Sequence, residues 1–302
     1  MINFFKQTMQ DKSLKQIPKL EVGCWVNVFN PSDEEISYLI EDLNLDKNNI
    51  ESGLDVTELP RVDFIGEDMY IFTKIIPDFE KSEVETHLIV IAKNFILTLS
   101  KSRPPFIDKI GVGEMKFITT QKLKCLINLL ALNNDNLENA SMNVVKRMQA
   151  YKKLVELKER DLNILLEQED FLNKLASSYH YMNLLYGRIR RRVEFFEQDN
   201  EIIEDLIIEA VEGVNLCTSS LKTISNIRNY YVVYLSNKLN RTITILTVFT
   251  IILSFATVVS GLFGMNVPLP LQEHAGIFYY LVGIVLVVCG GVVVYLKKRD
   301  II

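Results

Sequence analysis

Two stretches near the C-terminal end of the sequence contain no charged residue. They are 22 residues each and extend from Thr242 to Phe263 and from Ala275 to Leu296. As helices they measure about 33 Å, enough to cross a hydrocarbon core of about 30 Å. The pattern predicts a membrane domain over residues 242–302, with TM1 at about 242–263, an outer loop at 264–276 and TM2 at about 277–296.

The first hundred residues have a different pattern, with short apolar runs rich in β-branched and aromatic residues. Such runs predict strands, here at Val22–Phe29, Met69–Ile76, His87–Ala92 and Phe95–Leu99. Between the first two, Pro31 precedes Ser32 and three acidic residues, a typical helix start. We therefore expect a cytoplasmic α/β domain over residues 1–110.

The segment from residue 111 to 241 is predicted to be a stalk of long antiparallel helices. No proline lies between Phe106 and Val267, and apolar residues recur at steps of three and four. Gly187 and the polar stretch 198–200 are the expected breaks, so that the last helix extends from about Asn200 to Phe263. The fold class is α+β, followed by two C-terminal transmembrane helices.

Basic residues flank the two predicted spans on one side only. Lys238 and Arg241 precede TM1 and a Lys-Lys-Arg run at 297–299 follows TM2, whereas the outer loop has no basic residue. Positive charge marks the cytoplasmic side, and the N-terminus lacks the pattern of a signal peptide. The sequence thus predicts a multi-pass protein of the lipid bilayer of the cell (inner, cytoplasmic) membrane, with both termini cytoplasmic.

Charge and cysteine content exclude several function classes. The net charge of −5 gives no basis for nucleic-acid binding, despite the arginine cluster at 188–192. The four cysteines have no paired spacing, which argues against a zinc tetrad or a disulfide framework. His87, His180 and His274 are far apart and no catalytic motif occurs, so we expect that the protein is not an enzyme.

Small and hydroxyl-bearing residues form one line along TM1, called the polar stripe below. Its members recur at steps of three and four and are Asn240, Thr244, Thr247, Thr250, Ser254, Thr257, Gly261 and Gly264. One explanation is close helix packing, with hydroxyls bonded to carbonyls one turn earlier. The other is a water-containing pore built from several copies of the chain.

The polar stripe leads into Gly264-Met265-Asn266, which resembles the signature of the CorA family of divalent-cation channels. Further likenesses are Trp25-Val26-Asn27-Val28 and Leu59-Pro60-Arg61-Val62-Asp63. The resemblance implies a homopentamer with a ring of five Asn266 side chains at the outer mouth, which meets Mg²⁺ through its water shell. The resemblance implies pore-lining positions at Asn240, Leu246, Ser254 and Thr257. The polar stripe adds Thr247, Thr250 and Gly261 as pore-lining candidates.

The stalk carries acidic residues at Glu201, Asp205, Glu209 and Glu212 along one helix face. Each like-charge neighbour costs about 0.2 to 0.5 kcal/mol unless a cation neutralises it. The face is either simply solvated or binds Mg²⁺. The resemblance implies the second: Asp205, with Asp78 as its partner and Glu209 nearby, holds a regulatory cytoplasmic Mg²⁺ between subunits and closes the channel.

Two other functions remain open at this stage. One is a Zn²⁺ transporter of the same architecture, with or without proton coupling. The outer loop carries Glu273 and His274 and no basic residue, so several copies would form an acidic mouth that attracts any divalent cation. The other is a membrane-tethered helical scaffold, which would not need the polar stripe. Transport of Mg²⁺, with Co²⁺ and Ni²⁺ as further candidates, is the leading hypothesis.

Overall fold

The structure is a computed structural model that describes residues 1–111, 117–151, 159–265 and 276–298. Its contacts divide the chain into two compact units, Met1–Asn226 and Ile227–Ile302. The predicted division at residues 110 and 241 stays a prediction.

In the described residues, seven strands form one sheet of order β2-β1-β3-β7-β6-β5-β4. Strands β3 and β7 are parallel and the other neighbours are antiparallel. The strands are β1 (Ile2–Lys6), β2 (Lys15–Ile17), β3 (Cys24–Phe29), β4 (Arg61–Ile65), β5 (Asp68–Ile75), β6 (Glu85–Ile91) and β7 (Phe95–Ser100). The helices are α1 (Asp33–Glu41), α2 (Lys47–Leu54), α3 (Ile107–Gly111), α4 (Lys122–Tyr151), α5 (Glu159–Arg192), α6 (Glu197–Phe263) and α7 (Ile277–Lys298).

The four predicted strands are confirmed as β3, β5, β6 and β7, each with ends within two residues of the prediction. These strands are central and almost fully buried, so their sequences are continuous apolar runs. The sequence pattern missed β1, β2 and β4. They lie at or next to the two edges of the sheet and, apart from the buried Val62, are half-buried or exposed, so they have no long apolar run.

One face of the sheet is covered by α1 and α2. The predicted start of α1 is confirmed: Ser32 accepts from the backbone of Glu35, whose carboxylate accepts in return from the Ser32 N–H. Leu39 and Ile50 from these helices are fully buried against alternate residues of the central strands. Side chains with the opposite orientation in those strands face the other side of the sheet.

The opposite face of the sheet carries polar residues that form hydrogen bonds with α4. Asn133 on α4 donates to Thr73 Oγ1 at 2.9 Å and accepts from His87 Nδ1 at 3.1 Å, and all three side chains are fully buried. Burial lowers the pKa of His87 to about 4, although the hydrogen bond with Asn133 opposes the shift. The ring is therefore neutral, which fits its contact with the amide oxygen of Asn133.

The predicted helical segments are confirmed as α4 to α7, but both predicted breaks are misplaced. The break between α5 and α6 lies at residues 193–196 rather than 198–200, so α6 begins at Glu197. Helix α5 passes through Gly187 and ends at Arg192, so the prediction of a break at Gly187 was wrong. Glycine costs a helix about 1 kcal/mol relative to alanine. Tyr186 and Ile189 beside it are fully buried, and this burial outweighs the local preference.

Candidate functional site

Both predicted spans lie in helices that are long and apolar enough to cross a membrane. The windows that satisfy this test are in α6 and in the part of α7 from Ile277 to Leu296, and none of their residues is buried inside the chain. A buried core helix of a soluble protein would be covered by its own chain. The exposure of both helices therefore favours lipid or other copies of the chain as their surroundings.

The membrane parts of α6 and α7 share an apolar groove of about 420 Å³. It is lined from α6 by Ala256, Val259, Ser260, Phe263 and Gly264, and from α7 by Phe278, Leu281, Val282, Val285 and Leu286. At 100° per residue, the centre of the polar stripe between Thr247 and Gly261 is turned by about 130° from the groove-lining side of α6. The polar stripe therefore points away from α7, and only Gly264 at its outer end belongs to both surfaces.

The hydroxyl groups of the polar stripe bond to their own helix. Thr247, Thr250 and Thr257 each donate to the carbonyl four residues earlier, at 2.8 Å. Such bonds are expected if the stripe serves close helix packing, and they are also compatible with a water-containing pore. Each hydroxyl oxygen has two lone pairs and keeps them when its proton is donated. The stripe therefore offers acceptors without exposing an unsatisfied proton donor.

Two of the three signature residues are described, and both continue the last turn of α6. Gly264 N–H donates to Ser260 O at 3.0 Å, and Met265 N–H donates to Leu262 O at 3.4 Å. A Cβ at Gly264 would lie 3.2 Å from Ser260 O, so the backbone is close to that carbonyl. Asn266 and the outer-loop residue Glu273 lie outside the described residues.

The acidic residues of the stalk are brought to the surface of α6. Glu201, Asp205, Glu209 and Glu212 are all exposed. Glu209 accepts a hydrogen bond from Asn134 Nδ2 on α4 at 2.7 Å. Desolvation raises the pKa of Glu209, the Asn134 bond lowers it, and the negative charges of neighbouring carboxylates, Asp205 among them, raise it further.

Asp78 lies in the connection between β5 and β6 and is exposed. Its carboxylate accepts from Glu80 N–H at 2.9 Å. In the described part of a single chain, no hydrogen bond joins Asp78 to Asp205, and no three His, Cys, Asp or Glu side chains are close enough to hold one metal ion. The regulatory Mg²⁺ site at Asp205, Asp78 and Glu209 therefore stays a prediction.

Sequence reasoning missed the asparagines of α4, which connect three parts of the first unit. Asn133 bonds to the sheet, Asn134 to Glu209 and Asn136 to the end of β5. The signal was present: three asparagines within four positions are unusual inside a helix, because the side chain competes for backbone hydrogen bonds. Each of the three amides is almost completely buried.

Comparisons with known proteins agree with this arrangement. The sequence profile of the family described as CorA-like Mg²⁺ transporter protein matches residues 21–298. A curated relative, the cobalt/magnesium transport protein CorA of Methanocaldococcus jannaschii, is 24% identical over 298 residues, covering 91% of this chain and 90% of that protein.

Two solved structures show related folds. The complete structure of the CorA magnesium transporter from Methanocaldococcus jannaschii superimposes with a TM-score of 0.84 at 18% identity, covering 99% of this chain and 98% of that one. The ZntB cytoplasmic domain from Vibrio parahaemolyticus has a TM-score of 0.64 at 9% identity, covering 78% of this chain and 98% of that one. At these identities the likeness concerns the fold, which agrees with the predicted fold class.

Proposed function

The chain belongs to the CorA family of Mg²⁺ transporter proteins, and on that premise we propose that it mediates Mg²⁺ uptake through a homopentameric channel in the cell membrane. Members of this family are ion transporters or channels and not enzymes, and Mg²⁺ is their transported ion. The proposal adds the ion of this particular chain, the number of copies and the path of the ion.

The orientation of the polar stripe is the observation that carries the proposal. The hydroxyl protons of the stripe are bonded to their own helix, but its oxygens keep free lone pairs. Because the stripe is turned away from α7, neither the second span of the same chain nor lipid offers donors to those lone pairs. Copies of α6 around a central axis place these oxygens along a water-filled path. Asn240, Leu246, Thr247, Thr250, Ser254, Thr257 and Gly261 then line the path.

The outer mouth of the path is assigned to Gly264, Met265 and Asn266. Mg²⁺ loses its waters reluctantly, so a ring of neutral amide oxygens recognises the hydrated ion without removing its shell. Glu273 of each copy adds negative charge to the outer loop and raises the local cation concentration. The basic residues beside the two spans keep the first unit and both termini on the cytoplasmic side.

Cytoplasmic Mg²⁺ also acts as a ligand in this proposal. Asp205 of one copy and Asp78 of the next share the ion, and Glu209 contributes to the negative charge around it. When cytoplasmic Mg²⁺ falls, the site empties, the carboxylates repel each other and the subunits rearrange. The ion thus closes its own channel.

The test is Mg²⁺ uptake into proteoliposomes that contain a Mg²⁺-sensitive dye. Asn266→Ala is expected to abolish uptake, whereas Gln272→Ala, which removes another amide of the same outer loop, is expected to leave it within twofold of wild type. Unchanged uptake by Asn266→Ala would sink the assignment of the pore mouth.

Ion identity is tested in the same vesicles. Mg²⁺, Co²⁺, Ni²⁺ and Zn²⁺ uptake is compared with and without a pH gradient. The proposal expects Mg²⁺ uptake that does not depend on the gradient. Zn²⁺ uptake driven by a pH gradient would instead favour a zinc transporter, in line with the fold shared with the ZntB cytoplasmic domain.

A further inference from the structure

A cavity of about 750 Å³ lies within the first unit, where helix α5 passes the ends of strands β5 and β6. Pockets that bind small molecules usually measure about 300 to 1,000 Å³. Three lysines from three parts of the chain line this cavity, together with three apolar side chains. They are Lys74 on β5, Lys101 after β7 and Lys174 on α5, and Val56, Leu59 and Val84.

Lys74 carries a buried ammonium group that has no negative partner in contact with it. The residue is 5% exposed, and Nζ donates to Val56 O at 2.7 Å and to Thr86 Oγ1 at 3.1 Å. Both acceptors are uncharged, and no carboxylate oxygen of the described residues lies within 4.0 Å of Nζ. Asp55 and Glu58 act on it from further away, and burial lowers its pKa to about 8, which leaves it charged at neutral pH. Because buried charges are normally paired, the third N–H of Lys74 requires an acceptor.

The other two lysines add to the positive charge of the cavity. Lys101 is exposed and forms no ion pair with a described residue. Lys174 is also exposed and pairs with Asp170 at 2.7 Å, an ion pair in water that contributes little to stability. Lys74 and Lys101 are therefore two ammonium groups whose charge no carboxylate of the described residues offsets by contact.

The two carboxylates that line the cavity do not neutralise these lysines. Glu85 is buried and accepts from the Ser102 N–H at 3.0 Å and from the Ser102 hydroxyl at 2.7 Å. Glu83 is exposed and forms no ion pair within the described part of the chain. A bound cation would add to the charge of the lysines, whereas a bound anion would offset it. The balance of charge therefore favours an anionic ligand.

We propose that this cavity binds a small phosphate monoester, with its phosphate on Lys74 and Lys101 and its organic part against Val56, Leu59 and Val84. A phosphate monoester carries about 1.5 to 2 negative charges at pH 7 and three acceptor oxygens, which matches two unpaired ammonium groups, whereas a carboxylate brings one charge. Lysine commonly binds phosphate as a point charge. The volume of the cavity leaves space for an organic part beside the phosphate.

This site contains no residue of the proposed pore or of the proposed regulatory Mg²⁺ site. It therefore does not rest on the proposed function, and its ligand can be measured whether or not the chain conducts ions. A ligand held between β5, β7 and α5 would connect the sheet to that helix and stabilise the first unit.

The first experiment uses the unmodified full-length protein, purified in detergent and in a buffer free of phosphate and Mg²⁺. Equilibrium dialysis measures the binding of radiolabelled AMP and of radiolabelled ribose 5-phosphate, with unlabelled inorganic phosphate and adenosine as competitors. At least one of the two monoesters is expected to bind once per chain, to be displaced by inorganic phosphate only at higher concentrations than by itself, and to resist displacement by adenosine. Absence of saturable binding by both monoesters would overturn the proposal. Tighter binding of inorganic phosphate would overturn the role of the apolar side chains, and equal displacement by adenosine that of the lysines.

The second experiment locates the bound monoester with variants of the same chain. Lys101→Gln/Lys174→Gln changes two exposed positions and is expected to weaken binding about tenfold, the order that follows from the loss of a charge-assisted hydrogen bond. Lys74→Met is expected to weaken it at least as much. The control Lys12→Gln/Lys146→Gln makes the same change in charge as the first variant at exposed positions outside the cavity and should keep the affinity within twofold of wild type. Unchanged affinity in Lys101→Gln/Lys174→Gln, or an equal loss in the control, would place the monoester elsewhere and contradict the site.

Discussion

The side-chain amide of Asn136 forms two hydrogen bonds with the backbone of Ile76. Its Oδ1 accepts from the Ile76 N–H at 2.6 Å and its Nδ2 donates to the Ile76 carbonyl at 3.1 Å. Ile76 follows β5 directly and precedes Asp78 by two residues. The two hydrogen bonds therefore attach the start of the β5–β6 connection, which contains Asp78, to helix α4.

Asn136→Ala is predicted to lower the free energy of unfolding by about 2 to 4 kcal/mol, because it leaves two buried backbone groups unsatisfied. Thermal unfolding of the purified protein in detergent measures the loss as a fall in Tm. Asn139→Ala on the same helix is the control: Asn139 is exposed and donates to the Asp135 carbonyl of its own helix, so water can replace that bond. Similar falls in Tm for the two variants would refute the role of Asn136.

The sequence predicted best where a single pattern determines the structure. The central strands β3, β5, β6 and β7 were predicted because they are buried on both faces, and the two spans because their length and lack of charge leave few alternatives. Strand β2, by contrast, has three residues and is mostly exposed. Pairing with β1 holds it in place, and the hydropathy pattern contains no signal of that pairing.

The candidate sites could be predicted only in part. The sequence spacing identified the residues of the polar stripe. Its orientation relative to α7 depends on how the two helices pack against each other, which the spacing does not show. The spacing along α6 put Glu209 on the acidic face of the stalk, and the resemblance implied its regulatory role. Its bond to Asn134 joins residues 75 positions apart and is invisible to periodicity. Likewise, α5 continues through Gly187 because of tertiary burial, which the local preference of glycine does not contain.

Gly213 is predicted to be required by Tyr179. A Cβ at Gly213 would lie 2.5 to 2.6 Å from three atoms of the Tyr179 ring, which is almost fully buried and whose hydroxyl is 3.3 Å from Ser141 Oγ. Gly213→Ala should therefore destabilise the protein by about 1 to 3 kcal/mol. Gly187→Ala is the matched control, since its Cβ would meet no atom within 4 Å. In that helix interior alanine should be neutral or stabilising by up to about 1 kcal/mol. Changes in Tm of the same sign for both variants would contradict this account.

Lys74 is predicted to make the free energy of unfolding depend on pH in the alkaline range. Its ammonium is buried and donates to Val56 O at 2.7 Å and to Thr86 Oγ1 at 3.1 Å. Burial lowers its pKa from 10.5 to about 8, against the opposing charges of Asp55 and Glu58. Between these two values the unfolded chain binds more protons than the folded one, so stability should rise as pH increases from about 8 to about 10.5.

The measurement compares Tm across this pH range in wild type and in Lys74→Met, which keeps most of the side-chain volume but cannot titrate. The difference between the two isolates Lys74 from other titrating groups, and wild type should gain relative to the variant as pH rises. Lys101→Met, at an exposed position, should follow the pH profile of wild type. A constant difference between wild type and Lys74→Met would show that Lys74 does not have a lowered pKa.

Thr250 and Thr242 test whether the polar stripe conducts ions. Both threonines are exposed on α6 and both donate to a carbonyl four residues earlier, to Leu246 O at 2.8 Å and to Lys238 O at 3.0 Å. Thr250 lies in the polar stripe, whereas Thr242 is turned by about 100° from its centre. Thr→Val removes the hydroxyl and keeps the shape, so the two substitutions differ in the direction that the side chain faces and in their position along TM1.

Thr250→Val is predicted to slow Mg²⁺ uptake into proteoliposomes about tenfold, which corresponds to about 1.4 kcal/mol of lost stabilisation of the ion at the highest barrier. In the proposed pentamer, five copies would lose their acceptors at one level of the path, so the hydrated ion would meet an apolar ring there. Thr242→Val should leave the rate within twofold of wild type. If both variants transport as wild type does, the back-bonded hydroxyls serve helix packing alone, and the ion path must follow another face of α6.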